Sequence, residues 1–462
     1  MTSAHNTSKP VAPAGRRPMR LLSPAGGPEQ LRQAIHFGAD EVYLAGRSWG
    51  MRARSKNFDR DQLAQAVRLA HASGVAVHLT LNTLMRDADV DALPDYLRFV
   101  DQAGVDAAIV ADPGAMALLR RYAPHVELHV STQASVMNAL AAEESARLGA
   151  RRVVLAREMG VGEVAELRRR LDADGFGSLE LEVFAHGSMC MAVSGRCLLS
   201  SELVGPERGA SFGACTQPCR WGWTLVEESR PDERRMPVEQ DGSWSYILSS
   251  NDLAMLGHLD DLAAAGVAAI KIEGRAKGSY YTACVTNAYR HVLDGEPASA
   301  WLGELDAVSH RPYSTGFFYG NPTQNPGRVE YQRDRLMVAT VQDSVATAQD
   351  SVAVEEKNAL PAGGVPSGGD ALPVDTALPV GDAPAPRYLT EVLCRNKARV
   401  GDMLQVLSPG APIRECRLGP LERWDEDLQV WVPASELSRA MCRYRTVLPF
   451  ALEQLDILCL KQ

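Results

Sequence analysis

Short apolar runs alternate with amphipathic helical patterns from Leu21 to about Arg275. The runs are rich in Val, Ile and Leu, and each precedes a polar break and apolar positions at helical spacing. Near-continuous apolar strands separated by such helices are typical of a parallel sheet covered on both faces. The predicted strands are Arg20–Leu22, Glu41–Ala45, Val75–Leu81, Ala107–Ala111, Glu127–Ser131, Arg152–Ala156, Leu179–Ala185, Tyr246–Ser249 and Ala268–Ile272.

Glycine marks the predicted ends of several helices, in HFGAD, ASGVA, QAGVD, RLGAR and AAGVA. Glycine can adopt the left-handed conformation that follows the last helical turn. Eight or nine strand–helix units over roughly 260 residues predict an α/β fold, a (β/α)8 TIM-like barrel. A doubly wound open sheet is the alternative, but no G-x-G-x-x-G follows the first strand.

The pattern changes after a helix predicted near Tyr280–Leu293. Short alternating runs bounded by Gly, Pro and Asp predict a small β-barrel-like domain over 296–343 and 387–462. Between its two parts, residues 344–386 hold mainly Ala, Pro, Gly, Asp and Val without an aromatic residue, which predicts a disordered low-complexity insertion. We expect residues 1–18 to be a disordered tail and 19–295 to form the barrel.

Composition narrows the possible partners and the compartment. The 462 residues include 48 Lys and Arg against 57 Asp and Glu, so the net charge is -9 and any nucleic-acid contact needs a local basic patch. No apolar run of about 18 residues predicts a membrane span. The N-terminal segment has no apolar stretch typical of a signal peptide, which favours a cytoplasmic location. The sequence assigns no oligomeric state.

Four of the nine cysteines form a cluster in the sequence, with the spacing C-x6-C-x17-C-x3-C: Cys190, Cys197, Cys215 and Cys219. In a reducing compartment such thiolates suit zinc or an iron–sulfur cluster better than disulfides. Zinc ligands usually pair two to four residues apart, so the six-residue gap favours iron and sulfide. Four small buried apolar side chains are the remaining alternative. The predicted strand that ends at Ala185 places this cluster at the catalytic face of a barrel.

The residues around the cysteines resemble a known family signature. Glu182–Cys190 reads EVFAHGSMC, Ser194–Ser200 reads SGRCLLS and Cys215–Trp221 reads CTQPCRW, which together resemble the collagenase-like peptidase U-32 family. Further similar motifs are Leu22–Gly26, Gly38–Tyr43, Asp112–Gly114, Ser249–Leu253 and Lys271–Arg275. Length and weaker similarity in the C-terminal domain place the chain nearest the bacterial tRNA hydroxylase branch. The long insertion departs from the family pattern.

That resemblance implies a reaction and its cofactors. The branch converts the anticodon wobble uridine of tRNA to 5-hydroxyuridine without O₂, with prephenate as hydroxyl donor and a [4Fe–4S] cluster. The implied partners are tRNA and a small-molecule dicarboxylate donor, without a membrane. Related branches hydroxylate a cytidine of large-subunit ribosomal RNA or the ring of a ubiquinone precursor, and these remain alternatives.

Such a reaction needs a pocket for an unpaired base, a site for the dicarboxylate and a redox or Lewis-acidic centre. Polar residues follow the predicted strands, and arginine suits a carboxylate because its planar fork donates two parallel hydrogen bonds. We expect acid–base roles for His186, Glu158 and Glu273, and substrate binding by Arg52, Arg54, Asn82, Ser131, Gln133, Arg157, Arg275 and Lys277. Each alone also fits a rim salt bridge, and His186 also fits a hydrogen bond to a backbone carbonyl. Their convergence on one face favours the set.

Two other functions fit the sequence less well. A peptidase needs a catalytic apparatus, but the chain has no H-E-x-x-H and no G-x-S-x-G. His186 beside Ser188 resembles a base and a nucleophile, yet no acidic residue to orient the histidine is evident. A non-catalytic iron–sulfur scaffold would be distinguished by the absence of any product. Basic segments such as Arg151–Arg152 fit either phosphate contacts or solvated helix faces.

Overall fold

A computed structural model describes residues 19–51, 56–189, 199–205, 213–218, 224–225, 236–237, 251–320, 333–347 and 387–461. The chain divides into two compact units. The first contains Met1–Met337 with Leu407–Arg414 and Lys461–Gln462, and the second contains Val338–Val406 and Glu415–Leu460. Among the described residues, no helix is both long enough and apolar enough to span a membrane.

Eight parallel strands close into a barrel in the first unit. They are β1 (Arg20–Pro24), β2 (Glu41–Leu44), β3 (Ala76–Leu81), β4 (Ala107–Val110), β5 (Glu127–Val130), β6 (Ala150–Val154), β7 (Glu180–Ser188) and β8 (Ala269–Ile272). Consecutive strands pair in parallel, and β8 pairs with both β7 and β1, which closes the ring. The predicted (β/α)8 barrel is confirmed, while the additional run Tyr246–Ser249 lies outside the described residues.

Helices alternate with the barrel strands and also occur in the loop after β7 and beyond the helix that follows β8. They are α1 (Pro28–His36), α2 (Arg60–Ala72), α3 (Asp87–Gln102), α4 (Pro113–Tyr122), α5 (Ala139–Arg147), α6 (Val161–Ala173), α7 (Leu199–Val204), α8 (Leu259–Ala264), α9 (Ser279–Leu293) and α10 (Leu302–Leu305). Local sequence sets their limits: Asp59 and Gln62 form a capping box at the start of α2, and Asp112 caps α4. Gly38 and Gly266 adopt positive φ after α1 and α8, as the glycine signals predict.

Strand β7 is longer and less regular than the sequence predicts. It continues to Ser188, where it pairs in antiparallel fashion with the short strand Asp252–Ala254. Where β7 pairs with β8, Phe184 is the partner of Lys271 and His186 is the partner of the next residue, Ile272. Ala185 is therefore an extra residue in β7, a β-bulge. Such a bulge changes which face of the sheet the following side chains occupy.

A separate antiparallel sheet of eight strands follows the barrel in the chain. Its strands are β9 (Arg335–Ala346), β10 (Tyr388–Cys394), β11 (Met403–Ser408), β12 (Ala411–Arg417), β13 (Leu421–Asp425), β14 (Val430–Ala434), β15 (Arg443–Leu448) and β16 (Ile457–Lys461), in the order β12-β11-β16-β9-β10-β15-β13-β14. The core includes Val341, Val392, Leu404 and Leu458. The predicted additional β domain is confirmed.

The edges of the predicted insertion are ordered strands. Ala346 of β9 pairs with Tyr388 of β10, and the N–H of Thr347 donates to the carbonyl of Arg387 at 2.9 Å. The insertion expected from Ser344 therefore begins no earlier than residue 348, since its first residues continue the β9 pairing. Residues 348–386 lie outside the described part of the chain.

Candidate active site

A cavity opens at the carboxyl ends of the barrel strands, where barrel enzymes carry their catalytic residues. Every barrel strand except β1 contributes to its wall, directly or through the loop that follows. The lining residues are Tyr43, Met51, Thr80, Asn82, Ile109, Ser131, Thr132, Gln133, Val154, Arg157, Phe184, Lys271, Glu273 and Arg275. Three of these side chains are cationic, one is a carboxylate, and the remainder are apolar, aromatic or neutral polar.

The structure brings six of the predicted site residues together in this cavity: Asn82, Ser131, Gln133, Arg157, Glu273 and Arg275. Arg52 and Arg54 lie outside the described residues. Their neighbour Met51 lines the cavity, and its N–H donates to the Asn82 side-chain oxygen at 3.1 Å. The loop that precedes the two arginines is therefore anchored at the cavity wall.

Arg157 is oriented by two contacts. Its guanidinium lies over the ring of Phe184, 3.7 Å from the ring centroid, and donates to the carbonyl of Ser188 at 2.9 Å. Stacking and a directed hydrogen bond hold the planar fork in one orientation. The carbonyl it contacts lies two residues before Cys190, so Arg157 joins the cavity wall to the start of the cysteine segment.

Arg275 is seated by glycines on other segments. Its side chain is buried and donates to the Thr80 hydroxyl at 2.5 Å. A Cβ on Gly26 would lie 1.9 Å from the Arg275 carbonyl oxygen, and a Cβ on Gly50 would lie 3.1 Å from the Thr80 hydroxyl oxygen. A side chain at position 26 would clash with the backbone of Arg275, and one at position 50 would crowd Thr80. Glycine at these positions therefore allows the segments around Arg275 to pack closely.

His186 does not line the cavity, which corrects its expected position. The bulge at Ala185 pairs His186 with Ile272, so the histidine occupies the opposite face from Phe184 and packs against α9. Its Nδ1 lies 3.4 Å from the Tyr289 hydroxyl. Burial lowers the pKa of His186 to about 3, which keeps the imidazole neutral.

Two further predicted residues lie outside the cavity lining. Glu158 follows Arg157 in a turn and is half-buried, but it does not line the cavity. Lys277 donates from Nζ to the carbonyl of Ser309 at 2.9 Å and lies 5.3 Å from the ring centroid of Tyr281. Both residues lie in loops after barrel strands, and the sequence pattern does not predict which way a side chain points in such a loop.

Lys271 is a cavity residue that sequence reasoning missed. It lies in the apolar strand β8, where only 4% of the residue is exposed, and its Nζ is 3.2 Å from Glu182 Oε1. The same Nζ lies 4.4 Å from the ring centroid of Tyr43. Burial lowers the pKa of Lys271, although the Glu182 carboxylate opposes that shift. A lysine within a strand that is otherwise apolar was the available signal, because charged residues are rarely buried without a partner.

Glu182 belongs to a buried charge network inside the barrel. Arg152 donates two hydrogen bonds to Glu41, at 2.6 and 2.8 Å, and one to Glu182 at 2.9 Å. Burial alone raises the pKa of Glu41, but Arg152 outweighs that effect and the pKa is about 2. Arg152 is 2% exposed, so neither the phosphate contact nor the solvated helix face expected for Arg151–Arg152 applies to it. It forms an ion-pair bridge across the barrel.

The described edges of the cysteine segment adjoin the cavity. Cys190, Cys197 and Cys219 lie outside the described residues, whereas Cys215 is half-buried. A Cβ on Gly213 would lie 2.9 Å from the Gly50 carbonyl oxygen and 3.2 Å from Met51 Cα, which places this segment against the cavity rim.

A backbone N–H is directed at the sulfur of Cys215. Its sulfur accepts a hydrogen bond from the Gln217 N–H at 3.3 Å. Backbone N–H groups directed at cysteine sulfur stabilise thiolates and tune the potentials of iron–sulfur centres. A donor set of four cysteines, one of which accepts a backbone N–H, therefore fits an iron–sulfur cluster.

Comparison with known proteins identifies the family. The model described as Peptidase family U32 matches residues 26–327. The chain is similar to "tRNA hydroxylation protein P1" of Bacillus subtilis, 36% identical over 65% of this chain and 71% of that one. It is also similar to "Collagenase" of Porphyromonas gingivalis, 33% identical over 65% of this chain and 73% of that one. "23S rRNA 5-hydroxycytidine C2501 synthase" of Escherichia coli is 35% identical over 60% of this chain and 39% of that one. Since the family model spans more than half of the sequence, the chain belongs to peptidase family U32.

Proposed function

We propose that this protein is an RNA hydroxylase that converts the wobble uridine of tRNA to 5-hydroxyuridine. Prephenate is the proposed hydroxyl donor, and Cys190, Cys197, Cys215 and Cys219 hold the proposed [4Fe–4S] cluster. The observation that carries the proposal is a cavity with three cationic side chains whose rim adjoins the cysteine segment. The name of the Bacillus subtilis relative supports tRNA hydroxylation, and that of the Escherichia coli relative supports hydroxylation of a pyrimidine in RNA.

The cavity contains groups suited to both substrates. Arg157 and Arg275 present guanidinium groups to a dicarboxylate, and each is already oriented by a neighbouring contact. The side chains of Asn82 and Gln133 offer amide donors and acceptors, which can pair with the edge of an unstacked pyrimidine. Pre-orientation lowers the entropic cost of binding two substrates in one place.

The cluster would sit at the rim of this cavity. When bound, it supplies redox or Lewis-acid chemistry close to the substrates. The chain's own part is to place the cysteine segment there: Arg157 holds the Ser188 carbonyl, and Gly213 packs against the backbone of Met51. Glu273 is the cavity carboxylate placed to accept or return a proton.

A peptidase is the alternative from another class, and the Porphyromonas gingivalis relative carries the name "Collagenase". Peptide hydrolysis by His186 and Ser188 requires a hydrogen bond between base and nucleophile. Within the described part of the chain, the buried Ser188 hydroxyl has no hydrogen-bond partner, and His186 is buried on the α9 side. This geometry disfavours these two residues as a base–nucleophile pair.

The test is expression in a bacterial strain that lacks its own wobble hydroxylases, with nucleoside mass spectrometry of purified tRNA and ribosomal RNA. We expect 5-hydroxyuridine in tRNA only when the cells make prephenate. A parallel culture blocked before prephenate synthesis, and then supplied with it, is the control. If cells with intact cluster and prephenate show no 5-hydroxyuridine, the proposal is wrong, and a new 5-hydroxycytidine signal in ribosomal RNA would identify the alternative.

A further inference from the structure

Lys271 begins the family-like motif Lys271–Arg275 and lines the cavity, but the resemblance assigns it no role. It lies within β8, deeper along the barrel than Glu273 and Arg275, which follow the strand. Its surroundings in the wall are the rings of Tyr43 and Phe184, whose centroids lie 4.4 and 5.5 Å from Nζ. A cation is thus placed at the inner end of a partly aromatic cavity.

The barrel compensates the charge of Lys271 through a chain of ion pairs. Glu182 Oε1 accepts from Lys271 at 3.2 Å, and Glu182 Oε2 accepts from Arg152, which also binds Glu41. The network continues through Glu180, which pairs with Arg152 at 3.1 Å and with Arg20, so carboxylates and cations alternate along it and Glu182 offsets the charge of Lys271. Because an uncompensated buried charge is strongly unfavourable, this arrangement favours the ammonium form. Glu182 accounts for one of the three ammonium donors.

We propose that Lys271 contacts the small-molecule substrate directly and binds a carboxylate of an organic acid, with Glu182 and Arg152 as positioning residues. The inference rests on the proposed function in taking that acid to be the hydroxyl donor. The cavity wall also includes Ile109 and Val154, which suit an apolar ring better than they suit a free phosphate. Arg157 and Arg275, which line the same cavity, would bind a second carboxylate.

The titration of Lys271 gives this proposal a distinctive signature. Charged or titratable groups approach it from β2, β6 and β7 and from its own strand: Tyr43, Glu41, Arg152, Arg157, Glu182, Glu273 and Arg275. Glu182 is the carboxylate in direct contact, so its removal leaves the ammonium beside cations and lowers its pKa. Binding of an anion that needs the protonated lysine is then lost at a lower pH than in the unmodified protein.

The experiment is calorimetric titration of the anaerobic holoprotein with prephenate and, separately, with phenylpyruvate. We expect Lys271→Met to weaken binding about 100-fold and Lys271→Arg to recover part of the loss, since arginine retains the charge. Glu182→Gln should bind nearly normally at pH 6.5 and lose affinity as the pH rises to 8.5, where the unmodified protein remains flat. Lys397→Met, at an exposed lysine of the second unit, is the matched control and should change nothing.

Each outcome decides the inference. If folded Lys271→Met binds both acids as the unmodified protein does, the inference is wrong. If that variant does not fold, the pH profile of Glu182→Gln decides, and an unchanged profile overturns the proposal. If the unmodified protein binds neither acid, the proposal also fails. Lysine-dependent binding without any 5-hydroxyuridine in cells would instead retain this inference and overturn the proposed function.

Discussion

The barrel interior and the core of the second unit are stabilised in different ways. Inside the barrel, Arg152 and Lys271 are buried with Glu41 and Glu182 in one connected ion-pair network. The core of the second unit is mainly aliphatic, and its buried Asp456 accepts a backbone N–H from Glu453. Buried ion pairs add little net stability compared with apolar packing, yet breaking one is costly. The ion pairs inside the barrel therefore mainly fix the positions of cavity side chains, whereas the apolar core of the second unit mainly stabilises the fold.

The largest expected effect separates the cysteines of the two regions. Cys215→Ala should remove the cluster, because its thiolate is one of four proposed ligands. Cys416→Ala should retain it, since Cys416 lies in the aliphatic core of the second unit. Iron and sulfide assays on anaerobically purified protein check this, with about four of each expected per chain in the unmodified protein. Stoichiometric zinc without iron would contradict the prediction.

Breaking the barrel network should be costly. Arg152→Met removes the cation that Glu41 and Glu182 share, although Glu41 keeps Arg20 and Glu182 keeps Lys271 as partners. We expect a loss of about 3 kcal/mol in the free energy of unfolding, at the lower end of the range for breaking a buried ion pair. Urea denaturation followed by circular dichroism measures the loss. Arg169→Met is the control, because Arg169 is exposed on α6 and pairs with nearby Glu166 on the same helix. A loss below about 1 kcal/mol would show that the network is not closed.

A cavity in the aliphatic core of the second unit should lower the free energy of unfolding by a similar or smaller amount, through lost apolar packing. Leu458→Ala creates a cavity at a fully buried position, and we expect a loss of about 2–5 kcal/mol. The loss should be nearly independent of pH between 5 and 8, because no titratable group is removed. Leu428→Ala, at an exposed position, is the matched substitution. Denaturation at three pH values checks both, and a strong pH dependence for Leu458→Ala would contradict the prediction.

Acid should destabilise the barrel through His186. Its pKa is about 3 in the folded protein and about 6.5 in the unfolded chain, so stability is fully present above pH 6.5 and falls as pH decreases toward 3. His186 should contribute at most about 1.4 kcal/mol per pH unit to the slope of the free energy of unfolding against pH. His186→Phe should make that part of the pH profile shallower without abolishing the slope, because burial also lowers the pKa of His78 and His129, whereas His125→Phe, at an exposed side chain, should leave the slope unchanged. If the two variants gave the same dependence of stability on pH, His186 would not be a buried neutral imidazole.

The smallest effect is expected from the low-complexity segment. Deleting residues 348–386 and joining Thr347 to Arg387 with a short Gly/Ser bridge preserves the strand pairing on either side. Because the segment has no aromatic residue and too little apolar content to offset the entropy of ordering, we expect almost no change in the thermal midpoint or in nucleoside modification. Differential scanning calorimetry and the nucleoside assay check it. A clear loss in either would show that the segment folds or binds a partner.

Local pattern was sufficient for the strands and helices of the barrel. Val, Ile and Leu runs with glycine stops predicted β1 to β8, since strand period and helix capping depend on neighbouring residues. The same pattern placed Arg157, Glu273 and Arg275 after strand ends, and all three line the cavity. The four cysteines and their neighbours were sufficient to predict the family, which the family model confirms.

Only the tertiary structure decided which polar side chains meet. The bulge at Ala185 turns His186 away from Phe184, and it arises from pairing with a strand some 85 positions later in the chain. Burial of Arg152 depends on Glu41 and Glu182, which lie on other strands. The sequence alone determined the periodic elements and the cysteine motif because those are local. Long-range pairing decided the cavity, its lysine and the position of His186, since burial and charge compensation require partners that only the closed barrel brings together.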